Sequence, residues 1–152
     1  MIDVVAAVRP DDWNFPLFLH VLGAMILVGA TMTAASALAF ARGDHGLLRL
    51  GYWTLLAVGL PSYVLMWGAA HWIYSKEGLD DSPIDFAWVA IGFAVAEVGA
   101  VLFVASLIVG GIGVRRLNDG RGEGLLKATM IISLVLLAAF IVAVWAMTAK
   151  PD

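Results

Sequence analysis

Two histidines inside long apolar runs are the chemical lead in this sequence. His20 lies early in the run 14–40 and His71 late in the run 50–74. An ionisable side chain within a membrane span is costly and commonly marks a functional site. At about 1.5 Å of helical rise per residue, His20 falls roughly 9 Å and His71 roughly 5 Å below the same outer boundary. Each has a glycine one turn deeper on its own face, Gly23 at i+3 from His20 and Gly68 at i−3 from His71. A flat macrocycle held between two imidazoles needs such space, and imidazole suits haem iron. The pattern predicts one b-type haem with His20 and His71 as axial metal ligands and Gly23 and Gly68 lining the slot. Two plainer readings stand beside it: an interhelical hydrogen bond for His20, and an interfacial position beside Trp72 for His71. His45 falls in a polar turn and is expected to be solvated.

Copper is the alternative metal. Met147, Met25 and Met66 lie toward the same end, and thioether with imidazole suits Cu(I). Met25 and Met66 are off the faces of the two histidines, however, and methionine in an apolar helix ordinarily serves packing. The second chemical lead is Glu97, the one acid well inside a run, about 16 Å deep by helical rise. Ser62 and Tyr63 fall at comparable depth beside Pro61. A hydrogen bond from Tyr63, or an arrangement with the carbonyl that Pro61 frees, would satisfy the carboxyl. The functional reading makes Glu97 and Tyr63 a proton or cation site.

The elements that must position these residues are four apolar runs, roughly 14–40, 50–74, 86–114 and 124–149. Each meets the ~20 residues needed to cross a hydrocarbon core of about 30 Å. Of the 152 residues, 62% are hydrophobic and 14% charged, against about 25% charged in soluble domains. The expected fold is all-α: an antiparallel four-helix transmembrane bundle, with 1–152 as a single domain. Residues 1–14 hold Asp3, Asp11 and Asp12 against one base, Arg9, unlike a secretory signal, so the whole chain is expected to stay in the membrane. The bacterial plasma membrane is the expected location.

Arg42 and Arg49 lie in one loop, and Arg115, Arg116, Arg121 and Lys127 around another. The opposite side has Arg9, Lys76 and Lys150, diluted by Asp80, Asp81, Asp85 and Asp152. Short basic loops stay cytoplasmic, which predicts both termini and the loop near 75–85 outside. Trp13, Trp72, Tyr74, Trp88 and Trp145 then form an outer aromatic belt, and Tyr52 and Trp53 mark the inner interface. The segments 42–46, Asp81-Ser82-Pro83 and 118–122 read as turns. Pro61 should kink the second span. Gly23, Ala24, Ala30, Ala34 and Ala35 in span 1, and Gly92, Ala96, Gly99 and Ala100 in span 3, are expected to form packing seams within the bundle.

No cysteine is present, which excludes disulfides, thiolate metal sites and c-type haem attachment. A net charge of −3 without a basic stripe gives no reason to expect nucleic acid. No nucleophile–base pair or phosphate loop is apparent, so any enzyme activity would be that of a membrane oxidoreductase.

Leu19-His20-Val21-Leu22-Gly23-Ala24, followed by Gly29-Ala30, resembles the first-span signature of small four-span bacterial integral membrane proteins. That group includes the membrane domain of copper-resistance D proteins and, more distantly, the short membrane-type haem-binding protoporphyrinogen oxidase. In these a histidine is followed two turns later by tryptophan; here Leu27 stands in that place. The resemblance implies a histidine-bearing membrane bundle associated with haem or copper, and it carries over His20 alone. The leading expectation is thus a b-type cytochrome-like protein with one haem near the outer face, exchanging electrons with a quinone or redox protein partner, or sensing a ligand. The alternative is a non-redox membrane subunit, homo-oligomeric or within a larger complex, or a small solute or metal carrier that uses Glu97.

Overall fold

The computed structural model describes residues 11–76 and 87–149, with side chains from Asn14 onward. The segment 77–86, with Asp80, Asp81, Asp85 and the turn Asp81-Ser82-Pro83, lies outside the described residues. So do Arg9, Lys150, Asp152 and the side chain of Trp13. Within them the chain is helical, without strands: α1 (Asp11–Phe40), α2 (His45–Thr54), α3 (Leu60–Lys76), α4 (Ala87–Arg116) and α5 (Glu123–Ala149). A π-helical turn, Leu55–Gly59, joins α2 to α3 in one continuous rod. The described residues thus hold four helical rods long and apolar enough to cross a membrane. In lipid each backbone N–H and C=O needs a partner within the protein, and a helix supplies them all locally.

The kink expected at Pro61 takes the form of that wide turn. Proline offers no N–H to the carbonyl one turn back, so regular helical pairing fails there. The N–H of Leu60 reaches back five residues to the Leu55 carbonyl. The Ser62 hydroxyl donates to the Val58 carbonyl at 2.8 Å. The irregularity thus takes the form of a local widening of the helix.

Both described turns use left-handed backbone where the sequence supplies glycine. Between α1 and α2, Arg42 (φ 44°) and Gly43 (φ 87°) reverse the chain. Asp44 then caps α2 by accepting from the N–H groups of Gly46 at 2.7 Å and Leu47 at 3.3 Å. After α4, a 3₁₀ turn over Leu117–Asp119 ends on Gly120 at φ 68°. Arg49 donates to the Asn118 side chain at 2.9 Å, tying the two turns together.

One core cluster links all four rods: Leu27, Ala34, Leu55, Tyr63, Phe103, Leu136 and Phe140. A second, of Leu38, Ala41, Leu48, Leu117 and Leu126, closes the end that carries the turns. The small residues do form seams inside the molecule. A Cβ at Gly23 would stand 2.8 Å from the Met66 backbone nitrogen, so α1 and α3 meet backbone to backbone. Gly92 receives the methyl of Met147, and Ala30, Ala34, Ala35 and Gly99 are buried. By contrast α3 and α4 are bridged by rings, Tyr63 with Phe103 at 5.2 Å and Tyr74 with Phe93 at 5.1 Å.

Among the described residues the buried interior carries no charged side chain. Its buried polar residues are Thr31, Ser62, Ser106, Thr129 and Ser133, and each hydroxyl donates to a carbonyl of its own helix. Among the described residues no buried side-chain polar atom lacks a partner.

Candidate functional site

His20 is half-buried and makes the interhelical bond. Its Nδ1 lies 3.0 Å from the Met66 carbonyl oxygen on α3. A carbonyl only accepts, so the ring carries a proton on Nδ1. His71 is exposed and turned elsewhere. Its Nδ1 donates to the Trp67 carbonyl one turn back at 3.1 Å. The ring lies against Trp67, with centroids 4.1 Å apart, and meets Phe93 of α4 edge-on at 5.3 Å. One histidine thus faces the α1–α3 seam, and the other sits on the α3–α4 side.

The two glycines expected to line a slot differ in their surroundings. The Gly23 side is filled by the Met66 backbone. On the other side, no atom lies within 4 Å of a Cβ built at Gly68, which opens outward. The close approach of α1 and α3 at Gly23 thus leaves no open slot beside that glycine. The methionines of the copper alternative each have their own surroundings. Met25 is 69% exposed, Met147 packs on Gly92, and Met66 packs against the core cluster. Among the described residues no group of three or more His, Cys, Asp or Glu could hold one ion.

Glu97 departs from the expectation in another way. Tyr63 does not reach it: the Tyr63 hydroxyl donates to the carbonyl of Ala96, the residue before it. Gly99 leaves room for that hydroxyl, since a Cβ there would stand 3.1 Å away. The Glu97 side chain is exposed on the outer face of α4, one turn from Phe93 and flanked by Val98 (62% exposed) and Val101 (70%). Among the described residues no donor bonds it. A carboxyl ten residues into an apolar helix thus points away from its own bundle.

Tyr63→Phe removes the tie between α3 and α4 and is expected to cost about 0.6 kcal/mol, the average for a hydrogen bond between membrane helices. Thermal unfolding in detergent measures it. A loss several times larger would mean the hydroxyl does more than close this seam.

A second arrangement was not foreseen in the sequence. Tyr52 of α2 lies across Gly110 and Gly111 of α4; a Cβ at Gly111 would stand 3.0 Å from its hydroxyl. Beside it a groove of about 450 Å³ runs between α2 and α4, with Trp53 and Arg115 at its rim. The adjacent glycines opposite an aromatic pair were the signal that could have pointed there.

Comparison of the chain with family models, curated proteins and solved structures found no match.

Proposed function

We propose that this chain is a non-redox subunit of a membrane assembly and that Glu97 is the group through which it docks on a neighbouring span. One observation carries the reading: the Glu97 carboxyl stands without a donor on the outer face of an apolar helix. Insertion scales put a charged residue such as Asp at a span centre at about 2.5–3.5 kcal/mol, enough to favour a partner that donates to it. Small and medium side chains beside it, at Ala94, Val98 and Val101, leave room for close approach. The bundle itself would run up-down-up-down with both termini extracytoplasmic. In support of the antiparallel order of the middle two rods, His71 and Tyr74 meet Phe93, Tyr63 meets Phe103, and Tyr52 meets Gly110 and Gly111, so numbers fall along one rod as they rise along the other.

The test is the native mass of the complex extracted from its own membranes in mild detergent. The wild type is expected to migrate well above the 16.2 kDa of one chain. Glu97→Leu should release the single chain, with a more than tenfold shift in the bound fraction, while Glu97→Gln should keep much of the assembly, because the amide still accepts a hydrogen bond. A wild type that emerges as one free chain would sink the proposal.

The redox alternative has its own readout. Protein purified after growth with ample haem is expected to show no Soret band. A band that disappears in both His20→Ala and His71→Ala would restore a haem held by the two histidines.

A further inference from the structure

We infer that the groove between α2 and α4 is a binding site for one anionic phospholipid. Its rim carries three hydrogen-bond donors without a partner among the described residues: the Arg115 guanidinium, the Tyr52 hydroxyl and the Trp53 indole N–H. Arg49, another arginine near this end of the rods, is by contrast engaged with Asn118. Below the rim the lining is apolar, with Leu56 and Leu107 half-buried and Ile108 and Ile112 59% and 39% exposed. A cationic and hydroxyl-bearing mouth above an apolar trough of this size matches a phosphate headgroup followed by an acyl chain.

Placement supports the same occupant. Arg115 sits in the last turn of α4, where a span meets the headgroup layer, and Trp53 lines the same recess from α2. The ring of Tyr52 is seated there only because positions 110 and 111 lack side chains; a Cβ at Gly110 would stand 2.9 Å from it. Charge decides between headgroups. This end of the bundle carries Arg42, Arg49, Arg115, Arg116, Arg121 and Lys127 against Asp44, Asp119 and Glu123, six bases to three acids. No acid lines the groove. A phosphate that keeps its net charge is therefore favoured over one neutralised by its own amine, and basic recesses between spans bind such lipids.

The experiment is native mass spectrometry of the full chain released from vesicles of equal phosphatidylglycerol and phosphatidylcholine. One phosphatidylglycerol should stay bound in preference to phosphatidylcholine. Arg115→Gln should lower that retention about tenfold, the weight of one charge-assisted hydrogen bond, and Gly111→Leu should abolish it by filling the trough. Arg121→Gln, which removes an equal charge from the neighbouring turn, should leave it unchanged. Circular dichroism of each variant establishes that the helices persist, and Trp53→Leu supplies a rim variant with no loss of charge if Gly111→Leu does not fold. Equal retention of both lipids, or an equal loss with Arg121→Gln and Arg115→Gln, would overturn the site in favour of diffuse attraction to the basic end.

Discussion

Gly23→Leu is expected to be the most damaging single substitution in the spans. A Cβ at this position would stand 2.8 Å from the Met66 nitrogen and 3.0 Å from its Cα. These are backbone atoms inside a continuous rod, so they yield only if α3 moves as a whole. Overpacking a filled site costs about 1–3 kcal/mol, and more where backbone must shift; leucine here belongs at or above the top of that range. The His20 bond to the Met66 carbonyl would be lost with the seam. Gly29→Leu and Gly68→Leu are the controls. No atom lies within 4 Å of a Cβ at either position, and each should stay within about 0.5 kcal/mol of wild type. Thermal unfolding in detergent reads all three. Equal melting of Gly23→Leu and Gly68→Leu would refute the close approach of α1 and α3.

Phe103→Ala is expected to cost about 2–3 kcal/mol, less than the ~3–5 kcal/mol typical in water. Phe103 is 1% exposed, lies over Tyr63 with centroids 5.2 Å apart, and would touch a Cβ at Gly59 at 3.0 Å. It belongs to the core cluster that links all four rods, so the surroundings collapse poorly around a void. The reduction from the aqueous value has a physical source. A buried ring in a soluble protein gains both from leaving water and from packing, whereas lipid is as apolar as the core. Only the packing share is lost here. Val101→Ala, at a residue 70% exposed two positions earlier, should be nearly silent. Reversible unfolding followed by tryptophan fluorescence separates the outcomes; a Phe103 variant as stable as the Val101 variant would mean that the core cluster carries no packing energy.

The same equivalence of lipid and core explains which features were legible in the sequence. The four spans and their turns could be read because the transition from apolar to polar is abrupt at Arg42-Gly43-Asp44 and at Asn118-Asp119-Gly120. Which side of a rod faces inward could not, because an apolar helix bears no stripe to orient it. The depth of Glu97 was therefore legible and its direction was not. Both histidines could be placed by depth too, but the shared slot needed their angular positions. Gly23 was rightly marked as a point of close approach; what approaches is the backbone of α3. Pro61 announced an irregularity but not its form, since a bend and a wide turn answer the same missing N–H.

The wide turn at Leu55–Gly59 holds more chain than a regular helix would need, and one added residue offsets angular phase by about 100°. The rod that contains it consequently has a pair of rotational settings in place of one. The half after Pro61 is locked by the fit of Met66 on Gly23, and the half before Leu55 by the seat of Tyr52 on Gly110 and Gly111. Change can accumulate in either half without turning the other: the α2–α4 groove and the α1 seam are free to evolve as separate modules on a single helix.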